Sequence, residues 1–263
     1  MSASLHVDFG KTAGDYRRHR AGFPQSFFDR IAVHGVGIAG QLVVDLGTGT
    51  GTLARGFARR GCRVIGIDAA PAMLEAARDL DREAGVAVDY REGRAEDTGL
   101  DTASADVVIA GQCWHWFDRP TAAREAARIL RRDGRCVIAH FDWIPLSGNV
   151  VRATEELIEK HNPAWKLGNL NGVHPRWLRD LGEAGFRGIE SFSYDVDVAY
   201  TPDGWRGRIR ASAGVAASLA PDAVARFDAE LARLLAERFA ASELSVPHRV
   251  FAVIGRPPAG TRP

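Results

Sequence analysis

The chain is poor in lysine and cysteine, and no apolar run in it is long enough to cross a membrane. Of 34 basic side chains in 263 residues only Lys11, Lys160 and Lys166 are lysines, and 33 acidic side chains leave a formal net charge of +1. Without a net field to hold a polyanion, nucleic acid and anionic membrane surfaces are poor partners. Cys62, Cys113 and Cys136 are odd in number, widely spaced and lack a C-x-x-C pair. That pattern argues against a disulfide framework and against a zinc site, so no metal is expected and a reducing cytoplasm fits. The first 20 residues carry charges where a secretory leader needs an apolar stretch. The expectation is a cytoplasmic protein with no membrane partner, whose oligomeric state is not legible.

What is present reads as a globular chain, with 46% hydrophobic and 25% charged residues. A single domain over residues 1–263 is the expectation for this length. The apolar rhythm alternates between short β-branched runs and helical patterns, the signature of βαβ units. Strands are predicted at 41–46, 63–67, 87–91, 106–111 and 135–141, with helices at 53–60, 71–83 and 121–132 between them. A helix at 24–33 precedes the first strand. After the fifth strand the alternation stops, and Gly, Asn and Pro surround one helix at 150–160. Helices at 174–185, 202–213 and 221–240 and strands at 189–198 and 249–254 follow. The fold class expected is α/β, a doubly wound, Rossmann-like, seven-stranded and mostly parallel sheet with a C-terminal antiparallel strand and a helical insertion or lid.

The segment Val43-Val-Asp-Leu-Gly-Thr-Gly-Thr-Gly-Thr-Leu-Ala54 is a strand that runs into a glycine-rich turn and then a helix. Gly47, Gly49 and Gly51, with Thr48 among them, let the backbone turn sharply and approach a ligand closely. The following helix aims its free N–H groups at that crevice. Asp45 ends the strand just before the glycines. A carboxylate there repels the pyrophosphate of a dinucleotide and suits an ammonium or sulfonium group. Asp68 closes the second strand, where a carboxylate accepts ribose hydroxyls.

These residues resemble the small-molecule branch of the class I S-adenosylmethionine (SAM)-dependent methyltransferases, the "type 11" group. The resemblance is strong over residues 16–130 and looser beyond. It implies that the cofactor is SAM, with Gly47, Thr48, Gly49 and Gly51 cradling its methionine part and Asp45 near the amino end. It further implies ribose contacts from Asp68, with Ala69 and Met73 beside it, and adenine contacts from Ala95 and Glu96 in Arg94-Ala-Glu-Asp97. Arg94 stands where the family often has an aspartate. In Asp15-Tyr-Arg-Arg-His-Arg20, Tyr16 and Arg20 match positions that close over the methionine carboxylate, and an arginine fork suits a carboxylate. The implied organisation is an N-terminal lid at 1–40, a SAM-binding core at 41–141, acceptor-side insertions with strand six at 142–248, and a last strand at 249–256.

The fourth strand leads into Ala110-Gly-Gln-Cys-Trp-His-Trp-Phe-Asp118, at the sheet edge where ligands of open α/β folds bind. Gln112 is expected to face the cofactor. His115 is the candidate general base, or otherwise a packing or capping residue. All six tryptophans lie between Trp114 and Trp205. Trp114, Trp116 and Trp143 are candidate acceptor walls, although Trp114 or Trp116 can equally be core. Trp177 falls with Leu178 and Leu181 on a packing face. Arg206, Arg208 and Arg210 offer charge for an acidic acceptor, but alternate helical positions do not share a face.

The expected activity is transfer of a methyl group from SAM to an oxygen, nitrogen or carbon of a small-molecule acceptor, of the kind met in specialised metabolism. Positioning and exclusion of water do most of that work, so an obvious catalytic pair is not required. Three rivals remain. Gly49-Thr-Gly51-Thr-Leu-Ala54 also fits a relaxed dinucleotide fingerprint, which Asp45 opposes. The N/D-P-P-Y/W loop of base-modifying methyltransferases is absent, Gly111-Gln-Cys-Trp114 standing there. A SAM-fold protein that binds without methylating is the third.

Overall fold

The computed structural model describes residues 22–259, so Tyr16 and Arg20 lie outside the described residues. The chain opens with α1 (Gln25–Ala32), β1 (Leu42–Leu46), α2 (Thr52–Arg59), β2 (Arg63–Asp68), α3 (Pro71–Ala84), β3 (Asp89–Glu92) and β4 (Ala105–Gly111). A 3-10 turn at Trp114–Trp116 leads to α4 (Arg119–Ile129) and β5 (Leu130–Trp143). Then come α5 (Val150–His161), α6 (Arg176–Glu183), β6 (Arg187–Tyr200), α7 (Pro202–Arg210), α8 (Pro221–Arg238) and β7 (Leu244–Arg256).

The strands form one seven-stranded sheet in the order β3-β2-β1-β4-β5-β7-β6, mostly parallel with antiparallel C-terminal strands. Val44 of β1 lies opposite Ile65 of β2 on one side and Val108 of β4 on the other. Strand order therefore reverses at β1, and the loop after it opens at the switch point where such sheets bind ligands. β1 and β4 are near-continuous apolar runs because a parallel sheet is covered on both faces, and Val43, Val44, Leu46, Val107 and Ile109 are fully buried. β6 is an edge strand, and its alternation of polar and half-buried residues follows from having one face in water.

Packing divides the chain into two compact units. The first holds Gly22–Phe141, Val173–Tyr194 and the residues from Val250, and the second holds Asp142–Gly172 and Asp195–Arg249. The segment 173–194 packs with the sheet core. Its buried Trp177, Leu181 and Phe186 join Ile129 and Val253 in one cluster, which is the packing role predicted for Trp177.

Of the boundaries that differ from the sequence reading, two have a clear physical reason. The helix expected to run to residue 132 stops at Ile129, because Leu130 pairs with Ala105 and begins β5 there, before an irregularity in the β4–β5 register. Leu130 fits the helical period, and its docking as a strand is decided by the sheet. The last strand begins at Leu244 and not at residue 249, since Pro247 and His248 interrupt its apolar pattern without ending it.

In the second unit Trp143, Trp205, Phe227 and Leu231 form a core of their own. The Trp205 indole N–H donates to Thr154 Oγ1 at 3.0 Å, and that of Trp143 donates to Glu155 Oε1 at 2.8 Å. Arg206 and Arg210 lie one turn apart and both pair with Asp228, at 2.5 and 2.9 Å, whereas Arg208 is buried over the Trp143 ring. The three arginines thus do not present one cationic face.

Among buried charges of the first unit, Glu125 ties α4 to the loop between β3 and β4. It accepts from Thr98 N at 2.9 Å, from Thr98 Oγ1, and from Arg128 at 2.7 Å. Burial opposes its ionisation, but the Arg128 and Thr98 hydrogen bonds prevail and hold its carboxyl down at about 2. A depressed carboxyl stabilises the fold above its ordinary value, and that contribution disappears as pH falls toward 2. Glu125→Gln is expected to cost about 1–3 kcal/mol in urea melts at pH 7. The gap from wild type should narrow steadily below pH ~4.5, and a gap independent of pH would contradict this assignment.

Candidate functional site

The glycine-rich turn is built from beneath. Asp45 is 2% exposed and sits under the loop, where its Oδ2 accepts from Thr48 Oγ1 at 2.7 Å. Thr48 N donates to Ile67 O at 2.9 Å, and Gly51 N donates to Thr48 O at 2.9 Å, closing the turn onto β2. Gly49 has a φ of +55°, and a Cβ there would meet nothing within 4 Å, so its upper face is open. Gly51 has a φ of +74°, and a Cβ there would collide with the Tyr90 hydroxyl. The space above Gly47 is filled by Cys113 Sγ and Phe117. Of the three glycines, Gly49 is the one left bare to a ligand.

Asp68 completes the cradle. Its two carboxylate oxygens accept Gly49 N at 2.8 Å and Ala70 N at 2.9 Å, which joins the glycine turn to the start of α3. Each oxygen keeps a second lone pair for a ligand hydroxyl. Ala69 is exposed beside it and Met73 is buried below. Ala95 is buried, and Glu96 is held by its own neighbours, accepting Asp118 N at 2.8 Å and pairing with Arg94 at 3.4 Å.

The carboxyl edge of β4 and β5 carries the other candidates. Gln112 has a φ of +63°, uncommon for a residue with a side chain, and its N–H donates to Ala139 O at 2.9 Å. Such outliers collect where function over-determines the backbone. Trp114 is 1% exposed, and its indole N–H donates to Asp180 at 2.9 Å, which makes it core. Trp116 is 45% exposed and lies 4.6 Å from the exposed His115 ring. Trp143 belongs to the second unit, where it is buried.

Two residues beside His115 escape sequence reasoning. His140 at the end of β5 lies 5.7 Å from the His115 ring, and His174 ahead of α6 lies 4.7 Å from His140. His174 stacks on Trp177 at 4.1 Å with an interplanar angle of 5°. Its Nε2 is buried without a hydrogen bond, and burial pushes the imidazole down to about 4. It is therefore neutral at physiological pH. The one sequence signal was a histidine breaking the apolar run Val137-Ile-Ala-His-Phe141. Among the described residues no group of three or more His, Cys, Asp or Glu side chains is placed to hold a metal ion.

The electrostatics of the glycine turn centre on Asp45. Burial pushes its carboxyl up to about 7, against the Thr48 and Ala54 hydrogen bonds, and the charge of Asp68 adds to the rise. Because the folded state holds this proton more tightly than the unfolded chain, the contribution of Asp45 to stability falls as pH rises from about 4 to 7. In urea melts without ligand, Asp45→Asn should remove that slope. It should make the variant more stable than wild type at pH 8, relative to pH 4, by on the order of 2–4 kcal/mol. Parallel pH curves for the two proteins would show that Asp45 is not a strained charge.

Comparison with known proteins agrees with this geometry. The methyltransferase-domain family matches residues 44–138. An uncharacterized methyltransferase of Mycobacterium tuberculosis is 35% identical over 153 residues, 56% of this chain and 60% of that protein. The ubiquinone biosynthesis O-methyltransferase of Xanthomonas axonopodis pv. citri is 31% identical over 180 residues, 66% of this chain and 72% of that protein. The chain thus spans about 60% of the length of its mycobacterial relative. In fold it is similar to the YcgJ protein of Bacillus subtilis, with a TM-score of 0.59 and 19% identity over 90% of this chain and 100% of that one. No helix among the described residues is long and apolar enough to cross a membrane. With the glycine turn, the two strand-end aspartates and the β3-β2-β1-β4-β5-β7-β6 sheet in place, the chain belongs to the class I SAM-dependent methyltransferases of the type 11 group.

Proposed function

We propose that the protein transfers a methyl group from SAM to a hydroxyl of a small-molecule acceptor at the carboxyl edge of β4 and β5. The observation that carries the reading is Asp45, a buried carboxylate raised to about 7 beneath a turn whose Gly49 face is bare. A cationic ligand above that turn relieves the cost of ionising Asp45, whereas a pyrophosphate adds to it. When bound, SAM supplies a methyl group on a positively charged sulfonium centre. Gly49 and Thr48 would carry the amino-acid end, and Asp68 the ribose.

The acceptor side is read from the imidazoles. His115 is exposed at the edge, with His140 and the neutral His174 behind it. A neutral imidazole accepts the proton that a hydroxyl must give up as it is methylated. Trp116 offers a flat apolar wall beside His115. The Xanthomonas relatives, named as O-methyltransferases, support the hydroxyl over a nitrogen acceptor.

Incubating the protein with methyl-labelled SAM and a cell extract should yield a labelled small product. With that acceptor in hand, His115→Gln should lower kcat by roughly 10²–10⁴-fold while leaving SAM affinity within about twofold. Label appearing in protein or nucleic acid, or no label transfer at all, would refute the proposal.

A further inference from the structure

At the amino end of the parallel strands, on the edge of the sheet opposite to the glycine turn, the first unit has a second concavity of about 390 Å³. Its walls include Val33 and His34 after α1, Arg135 of β5, Gly188 and Glu190 of β6, and Arg256 at the end of β7. Nothing lies within 4 Å of where a Cβ on Gly188 would be, so that wall is bare backbone.

The charge in this concavity is unbalanced. Arg135 uses one nitrogen, Nη1, on the carbonyls of Asp133 at 2.7 Å and Gly134 at 3.0 Å, leaving its remaining donors for other partners. Arg256 forms no ion pair among the described residues. Burial and the positive charge of Arg256 together depress Arg135, and the charges of Asp133 and Glu190 offset that only in part. Glu190, the acid of the lining, is 68% exposed and lies 3.8 Å from His34.

A comparable concavity in the second unit, about 410 Å³, shows the contrast. Its Arg152 pairs with Glu156 at 2.9 Å, and its Arg238 lies over the Phe239 ring at 5.6 Å. Each cation there already has a partner.

We propose that the pocket between Arg135 and Arg256 binds a small oxyanion, a phosphate or carboxylate group borne by a small molecule. Two guanidinium forks on neighbouring strand ends match the oxygens of such a group, and an anion would remove their mutual repulsion. Exposed Val33 provides an apolar shoulder for the rest of the molecule. The site shares no residue with the glycine turn and does not depend on the methyl-transfer reading.

The test is calorimetric titration with inorganic phosphate and, separately, with acetate, in chloride buffer at fixed ionic strength. Saturable binding of one equivalent is expected, weakened about tenfold or more in both Arg135→Gln and Arg256→Gln. Arg152→Gln, in the other concavity, should leave it unchanged. Circular dichroism melts without anion establish that each variant is folded, and Arg256→Lys is the substitute if Arg256→Gln is not. Tighter phosphate binding assigns the site to phosphate-bearing molecules, and tighter acetate binding assigns it to carboxylates. Absence of saturable binding by either anion, or binding that survives both glutamine substitutions, would overturn the proposal.

Discussion

Ionising a carboxylate away from water is costly, and in this fold that cost falls on Asp45. The side chain is 2% exposed, and its burial raises the carboxyl to about 7 despite the Thr48 and Ala54 hydrogen bonds. A chain selected only for stability would not place an acid there, since buried charge without a charged partner is among the more expensive features a core can hold. The acid lies under the glycine turn, whose Gly49 face is bare. On the proposed reading, stability is exchanged for affinity toward a cationic ligand, as at other strained functional sites.

The rest of the site follows from where the sheet puts that acid. Because β2 and β4 flank β1 in parallel, strand order reverses at Asp45, and the loops after β1, β2 and β4 open on the same edge. Asp68 fastens the glycine turn to α3 through Gly49 N and Ala70 N, so the cradle is held by the fold itself. The positive φ of Gln112 and the ring series His115, His140 and His174 lie along that edge, after β4 and β5. Preorganised groups of this kind suit a reaction that needs alignment and a proton acceptor more than covalent assistance.

Local grammar made the glycine turn legible. A buried strand, three alternate glycines and a helix start are contiguous in sequence, so the turn at Gly47, Gly49 and Gly51 after Asp45 can be read without tertiary information. The candidate acceptor edge is assembled across the sheet, and there the sequence offered only its local part, Gln112, His115 and Trp116. His140 and His174 are 34 residues apart and meet only because β5 and the segment before α6 converge on Trp177. Trp114 read equally as wall or core, and its bond to Asp180, 66 residues away, decides for core. Leu130 kept the helical period while joining the sheet, since pairing with Ala105 outweighs a local pattern. The packing face of Trp177 and Leu181 was legible from helical spacing, and with Phe186 it joins the sheet core.

The most direct test is to measure protons during ligand binding, by titrating SAM and NADH calorimetrically at pH 7 in buffers of different ionisation enthalpy. A cation that settles beside Asp45 lowers its affinity for a proton, so SAM should bind with release of a fraction of a proton. The release should vanish in Asp45→Asn, and NADH should not bind. Binding of NADH in place of SAM, or of SAM without any proton exchange, would contradict the account.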